Sequence, residues 1–438
     1  MLKNKKINNF NAIAHYCHEY QRVEKNLLGQ DTYFKQLRQT ALDAFFRVGF
    51  PNKKQADWKY TSLSTLNQTP YFLVKPSSND PVLETTSPNY RLVFVNGFFA
   101  PHLSTTEPLA PFCKLTNLAR MLDQHPELLK ENLKLNPGEK NSFTQLNTAF
   151  LQEGASIYLP ANTHLNAPIE VLFINTDKTS NRFIPLRNSI IAEENSRATI
   201  IEKYIDMTSG SNVNYFINSV TECRLAANSH IAHYQYIMES KHAQHTGNLY
   251  VSQHANSRFS AYSLALKGAL IRRDITVKLL EPLARCQLKG LYYALGQQQI
   301  DYCTVIDHIS PQTCSEEFYK GIIDDKARAT FNGKLIVRED AIQSKAKQLN
   351  KNLLLSTRGE INSKPQLELF TDDIHCTHGA SIGQLDKDAL FYLRSRGLTV
   401  NQATDLLVNA FAQDILEQMP LFKDVALPHF THKIHENL

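Results

Sequence analysis

The chain has 438 residues, of which 42% are hydrophobic and 10% aromatic, so it can bury a core of ordinary globular size without disulfide or metal staples. Its net charge is +5, from 47 Lys and Arg against 42 Asp and Glu, and the basic residues look scattered along the sequence, which argues against a nucleic-acid partner. The seven cysteines are dispersed, odd in number and never in a CxxC pair, which argues against a disulfide framework and a self-contained zinc or cluster motif.

The N-terminus, MLKNKKINNFNAIAHY, is basic but lacks the apolar segment that follows in an export signal. The longest strongly apolar stretch, LVFVNGFFAP, is about half as long as a membrane span. We therefore expect a cytoplasmic protein without a membrane partner. We also expect no bound nucleotide, because FNGKL lacks the upstream glycine and the Ser or Thr of a phosphate-binding loop.

Residues 1–80 are predicted to form an N-terminal helical domain, and 81–140 a mixed connecting region. The segment TYFKQLRQTALDAFFRVGF has helical character and is predicted to end near Gly49 and Pro51.

Residues 141–383 are predicted to form a parallel β-helix, which makes the protein mainly β. A small residue, a longer polar residue and an apolar residue recur there and open alternating runs, which is typical of strands with one buried face. The spacing averages about 33 residues and is uneven, as in stacked coils with variable turns. An antiparallel sandwich can produce the same alternation. The six runs begin at Ser196, Ser229, Ser257, Ala284, Ala327 and Gly359.

The segment TDDIHCTHGASIG follows a predicted strand, KPQLELF, and contains three potential metal ligands. Side chains alternate along a strand, so Cys376 and His378 are expected on one face and His375 on the other. Metal ions and iron–sulfur clusters generally need about four such donors, and one thiol with one imidazole cannot complete a site. The missing donors would have to come from elsewhere, such as another chain. A buried cysteine beside an ordinary polar histidine is the structural alternative.

The other histidine and cysteine pairs give weaker signals. His230 with His233, and His242 with His245, are expected on opposite strand faces, where they cannot chelate locally. Cys286 is expected inside the core, and nothing in the sequence supports convergence of Cys303, Cys314 and His308.

Residues 384–438 are predicted to form a C-terminal helical domain. Asp386 is a suitable N-cap for a first helix, and Gly397 is well placed to end it. Thr399 and Gln402 form a capping-box pattern for a second helix with one apolar stripe. Such a hairpin packs on its own domain or receives a partner.

Five segments together resemble the SufB/SufD family of iron–sulfur cluster assembly scaffolds. They are FNGKLIV at 331–337, NLLLS at 352–356, KPQLEL at 364–369, DDIHCTHGASIGQLD at 372–386 and FYLRSRGL at 391–398. Upstream, GFPNKKQADWKYTSL, VFVNGFF and FTQLNTAF resemble the SufD branch of that family.

The resemblance implies a right-handed parallel β-helix between helical domains, in a non-catalytic scaffold that assembles with SufB and the SufC ATPase. His378 and Cys376 would lie at the SufB interface, where a transient cluster or its iron is shared. Family members often carry Lys or Arg where this chain has His375, so no ligand role is transferred to it. A homodimer in isolation and a flavin in the complex stay open. The C-terminal helices would receive SufC, with docking candidates Phe391, Tyr392, Arg394, Arg396, Leu406 and Phe411.

Three rivals are weighed against this interpretation. A SufB-type main scaffold is disfavoured by the lack of clustered N-terminal cysteines. In a β-helix carbohydrate-active enzyme, Asp372 and Asp373 would supply acid and base, but adjacent strand residues face opposite ways. A lone metalloenzyme would need His375, Cys376 and His378 together, and the same two-faced geometry disfavours it.

Overall fold

The computed structural model describes residues 11–76, 80–82, 90–106, 112–133, 141–208 and 212–430. None of the helices within these ranges is long and apolar enough to cross a membrane. The helices are α1 Ala12–Val23, α2 Thr32–Val48, α3 Ser64–Gln68, α4 Leu118–Gln124, α5 Pro126–Asn132, α6 Ser142–Ala149, α7 Lys387–Ser395, α8 Val400–Leu416 and α9 Lys423–Ala426.

The strands follow one another in chain order and fall into a short N-terminal group and a long regular series. The first group is β1 Phe72–Leu73, β2 Tyr90–Val95, β3 Phe98–Phe99 and β4 Lys114–Asn117. The series is β5 Ala155–Leu159, β6 Ile169–Asn175, β7 Arg182–Ala192, β8 Arg197–Asp206, β9 Tyr215–Leu225, β10 His230–Met238, β11 Gln244–Gln253, β12 Arg258–Lys267, β13 Leu270–Leu279, β14 Arg285–Ala294, β15 Gln299–His308, β16 Cys314–Ile323, β17 Arg328–Val337, β18 Ser344–Leu354, β19 Glu360–Leu369 and β20 Ile374–Gln384.

These strands form a parallel β-solenoid, as the sequence predicts. Sheet 1 runs β19-β17-β15-β13-β11-β9-β7-β5-β4, and sheet 2 runs β20-β18-β16-β14-β12-β10-β8-β6-β2-β3. From β5 onward the chain alternates between the two sheets, and successive coils pair in parallel. The eight parallel strands of sheet 1 from β5 to β19 stack over about 34 Å at the usual strand spacing.

The apolar positions of both sheets face a shared interior. Aromatic rings pack against one another along it in tilted pairs, with ring centroids 5.0 Å apart for Tyr302 and Tyr319 and 5.3 Å apart for Tyr319 and Phe331. Cys286 is buried in this interior, as predicted. The spacing of inward residues therefore sets the fold, because each coil buries its apolar face only against its neighbours.

Helices cover the outer faces of the two sheets. The N-terminal helices and α6 pack on sheet 1 through a cluster that includes Tyr16, Phe45 and Phe143 with Phe183 and Phe216 of the sheet. Helices α8 and α9 pack on sheet 2. The helix α6 lies within the segment predicted as β-helix core, yet it belongs to this N-terminal helical layer.

The predicted helix ends are confirmed. Helix α2 ends at Val48, and the following Gly49 has a φ of 65°, a left-handed conformation that favours glycine. Asp386 accepts hydrogen bonds from the first turn of α7, and Thr399 with Gln402 forms the capping box of α8.

The alignment of the repeat is corrected by the strand register. The runs at Ser196, Ser229, Ser257 and Ala284 precede successive strands of sheet 2, but those at Ala327 and Gly359 precede strands of sheet 1. In the next strands of sheet 2, β16 and β18, the matching small residues are Thr313 and Ser344. These strands were missed because they place Glu317 and Gln348 at inward positions, which breaks the apolar alternation.

The turns before the strands of sheet 2 carry a ladder of left-handed residues. Asn162, Asn195, Asn228 and Asn256 all have φ near 60°, and later coils place Leu283, Gln312 and Gln343 there. The side-chain amide of Asn256 donates to the Asn228 side-chain oxygen at 2.8 Å. Asparagine suits these positions because it tolerates the left-handed region and bonds to its neighbour.

Replacement of Asn256 tests this account of the turns. We expect Asn256→Ala to be less stable than Asn256→Gly by about 1 kcal/mol, because both lose the ladder bond but only alanine is strained at positive φ. Urea unfolding of the two variants measures the difference. Equal stability would show that the backbone conformation is not what selects asparagine.

Candidate functional site

The last coil leaves one end of the solenoid open. Strand β19 pairs only with β17, and β20 only with β18, so within the described residues one edge of each strand carries unpaired backbone groups. Leu369, Phe370 and Ile382 beside these edges are 45%, 58% and 50% exposed. At the other end, the terminal strands β3 and β4 are only two and four residues long. Long edges with exposed apolar residues are suited to pairing with another chain.

Cys376 and His378 lie on β20 and face the interior at this open end. In the register of β18 and β20 they pair with Ala346 and Gln348, which are 3% and 1% exposed. His375 pairs with Lys345, which is exposed on the outer face. The predicted alternation is therefore present: the thiol and the imidazole share one face, and His375 has the opposite one.

The two candidate ligands differ in burial. Cys376 is half-buried against the core, and burial raises the pKa of its thiol, although a hydrogen bond with the Ala346 backbone partly opposes this. His378 is exposed, because no further coil covers it. The thiol is thus protonated at neutral pH and would lose its proton on binding a metal.

The interior directly behind the open end is polar. The side-chain amide of Gln348 donates to a carboxyl oxygen of Glu317 at 2.6 Å. Glu317 is fully buried on β16, one coil further from the open end. At the next inward position of β18, the side-chain oxygen of Asn350 accepts two hydrogen bonds. They come from the hydroxyl of Ser363 at 2.7 Å and from the side-chain amide of Asn352 at 2.6 Å. Sequence reasoning missed this polar lining, although the alternation of Gln348, Asn350 and Asn352 along β18 is a signal for it.

The described residues contain no group of three or more His, Cys, Asp or Glu side chains arranged to hold a metal ion. At the open end the chain supplies one sulfur and one nitrogen. A tetrahedral metal or cluster site there would need further donors from outside these residues.

His230 and His233 lie on opposite faces of β10, as predicted, whereas His242 lies in a turn and His245 is buried on β11. His233 faces the interior and hydrogen-bonds Glu202 at 2.8 Å, whereas His230 faces outward. His308 is buried beside Thr313 and Ser315. Cys303 lies on sheet 1 and Cys314 on sheet 2, so these residues do not form one site.

Helix α7 projects from the body, whereas α8 packs on sheet 2. No residue of α7 is buried, and Phe391 and Tyr392 are 70% and 57% exposed. Arg394 and Arg396 are also exposed, and so is Leu406 in the first half of α8. This apolar and basic surface is available to a partner.

Phe411 differs from the other docking candidates because it packs against the solenoid. Lys320 on β16 lies over its ring, with the ammonium 4.3 Å from the centroid. The same ammonium donates to the Phe411 carbonyl at 2.6 Å and to the carboxylate of Asp414. Phe411 thus helps to join α8 to sheet 2.

The buried Glu317 predicts a pH-dependent contribution to stability. Burial raises its pKa from 4.5 to about 7. Between these values the folded chain holds the proton more tightly than the unfolded chain, so the free energy of unfolding falls as the pH rises. Its neighbours Cys286 and Tyr319 stay neutral, because burial raises their pKa values too.

Glu317→Gln should remove this dependence. Between pH 4.5 and 7.5, the wild type should lose about 2–3 kcal/mol of unfolding free energy relative to the variant. Urea unfolding across this range measures the difference. Glu316→Gln, on the outer face of the same strand, is the control and should follow the wild type; an unchanged slope in Glu317→Gln would contradict the prediction.

Comparison with known proteins covers almost the whole chain. The family described as SUF system FeS cluster assembly, SufBD core domain, matches residues 173–411, and the SufBD protein N-terminal region matches residues 10–171.

Relatives of similar length are found in several bacteria. A SufBD family protein of Synechocystis is 31% identical, over 90% of this chain and 89% of the relative. The iron–sulfur cluster assembly protein SufD of Escherichia coli is 26% identical, over 87% of this chain and 88% of its own. SufD of Bacillus subtilis is 22% identical, over 90% and 91%.

Proposed function

The chain belongs to the SufBD family of iron–sulfur cluster assembly proteins, and on this premise we propose that it is a SufD-type scaffold subunit. In this role it pairs with a SufB-type subunit through the open end, shares a nascent cluster or its iron there as cargo, and docks a SufC-type ATPase. It performs no catalysis of its own and works in the cytoplasm. The observation that carries the proposal is the open coil that presents Cys376 beside His378.

The geometry of the open end supports pairing with a second solenoid. The free edges of β19 and β20 are 10 and 11 residues long and belong to different sheets. A partner that ends in a similar coil could add a strand to each sheet, which would satisfy the backbone groups and bury Leu369 and Ile382.

The donor set supports a shared cargo site. Thiolate and imidazole are suitable ligands for iron and for iron–sulfur clusters, and the pair faces the interior where a partner coil would close over it. Bound between two chains, the cargo would leave when they separate. The half-buried thiol of Cys376 and the exposed ring of His378 are each accessible from the direction of the partner.

The C-terminal helices support docking of the ATPase. Helix α7 presents Phe391 and Tyr392 to solvent, and aromatic residues on a projecting helix are common anchors of interfaces. Nucleotide chemistry would then belong to the partner, in line with the missing phosphate-binding loop.

A continuous series of contacts connects the C-terminal helices to the open end. Helix α8 is fixed to β16 by the contacts of Lys320 with Phe411 and Asp414, and β16, β18 and β20 are consecutive strands of sheet 2. Movement of the helices by the ATPase would therefore reach the open end through two strand pairings. Such movement could open or strain the interface and gate the cargo.

The role of His378 can be tested in the assembled complex. We expect His378→Ala, co-expressed with SufB-type and SufC-type partners and purified anaerobically, to lower bound iron and acid-labile sulfide by about tenfold because one donor is lost. His375→Ala is the matched control, because it removes an imidazole from the outer face of the same strand, and it should retain the wild-type content. If His378→Ala and Cys376→Ala both keep full iron and sulfide, the cargo site is elsewhere.

The docking role of α7 gives a separate prediction. Phe391→Ala/Tyr392→Ala should weaken binding of the SufC-type ATPase by at least about tenfold, because the two rings are proposed anchors. The melting temperature should stay unchanged, because both rings are exposed. Val425→Ala, which truncates an exposed side chain on α9, is the control for pull-down and calorimetry. Unaltered ATPase binding by the double variant would exclude α7 as the anchor.

A further inference from the structure

A row of basic side chains runs along the outer face of sheet 2. The strand register pairs each member with the next, at the first or second residue of seven successive strands from β8 to β20. Six of the seven are basic, and the row spans about 29 Å at the usual strand spacing. We call it the basic row; its members are Arg197, His230, Arg258, Arg285, Lys345 and His375, with Cys314 between Arg285 and Lys345.

The basic row corresponds to the polar position of the sequence repeat, which the proposed function does not use. Consecutive members, with Cys314 counted, lie 27 to 33 residues apart in the sequence, so no stripe is visible there. The fold brings them to neighbouring strands. The expectation that the basic residues lack a stripe is therefore wrong for this face.

The charge of the basic row is accessible, and the adjoining outward column holds one carboxylate, that of Glu316. All its members are exposed except the half-buried His230 and Cys314. In the part of the chain that the structure describes, none of its arginines or lysines forms an ion pair. Two acidic residues of the adjoining turns are paired elsewhere, Glu193 with Arg224 and Glu281 with His254.

Like charges on neighbouring strands repel one another, so the basic row favours an anionic partner. The pKa of His230 is lowered, first by burial and then by the flanking Arg258 and Arg197. A bound anion would relieve this repulsion along the whole row.

The outward column beside the basic row has mixed character. Its first four members are small or uncharged, and the next two are charged; in order they are Thr199, Ala232, Ser260, Gln287, Glu316 and Lys347. Further along the strands, α8 already packs on this sheet, and its Asp414 pairs with Lys320. Lys320 is six residues along β16 from Cys314, about 20 Å at the usual rise per residue, so a second helix has room to lie over the basic row on the same face as α8.

The spacing of the basic row suits a helix. One turn of an α-helix rises 5.4 Å and one coil of the solenoid about 4.8 Å, so acidic residues every three or four positions stay close to successive rungs. The flexible arginine and lysine side chains can absorb the difference.

We propose that the basic row binds an acidic helix of a partner protein, laid parallel to the solenoid axis beside α8. A nucleic acid fits less well, because the outward column beside the basic row carries no aromatic ring on which bases could stack. His375 is the last rung, so a helix bound here is guided to the strand that carries Cys376 and His378.

The test uses the full chain and a synthetic 21-residue helical peptide with glutamate at every third or fourth position. Fluorescence anisotropy at 50 mM salt should show binding that weakens at least about fivefold at 300 mM, because salt screens exposed charges. Arg258→Glu/Arg285→Glu should weaken it at least about tenfold. Lys278→Glu/Lys326→Glu, the same charge change among the strands and turns of sheet 1, should stay within about twofold of the wild type.

Four outcomes would overturn the proposal. They are no binding at 50 mM salt, an equal loss in the sheet 1 control, equal binding of a proline-interrupted peptide of the same composition, and tighter binding of a single-stranded oligonucleotide of equal charge. The thermal melting curves of both double variants serve as a check on folding. The peptide assay requires neither cargo nor ATPase, so its result is independent of the proposed scaffold role.

Discussion

Backbone pairing between successive coils is the constraint on which the rest of the structure depends. Each strand satisfies its hydrogen-bonding groups on the coil before and the coil after, and this pairing holds every column of side chains in register. The same pairing requires that the last coil remain half satisfied. The interior row that ends in Cys376 and His378, the outer row that ends in His375 and the free edges all follow from this one arrangement.

Polar groups interrupt the apolar interior, in the middle coils and again near the open end. His233 and Glu202 hydrogen-bond each other in the middle coils, and the coils of Glu317 and Gln348 place a carboxyl and an amide inside close to the last coil. These groups are costly to bury, and they are tolerated because they hydrogen-bond each other. Under the proposed function, the polar layer of Glu317 and Gln348 would lie just behind the place where a second subunit and an ionic cargo bind.

Local patterns in the sequence predicted the fold class, the helix caps and the shared face of Cys376 and His378, because each depends on residues that are close in the chain. The repeat pattern did not reveal the coils that contain Glu317 and Gln348, because polar residues at inward positions interrupt the apolar alternation. The basic row could not be recognised either, since its members become neighbours only once turns of unequal length are aligned. The proposed interface roles of the open end and of α7 depend on residues of other chains, which this sequence does not contain.

The free edges of β19 and β20 have a consequence for how such a molecule would melt. If a second solenoid continues both sheets, the two cores merge into one continuous hydrophobic interior, and neither subunit retains a boundary of its own. Unfolding would then spread across the junction as it does between ordinary coils. The two paired subunits would unfold as one cooperative unit. A subunit without its partner would begin to unfold at its last coil.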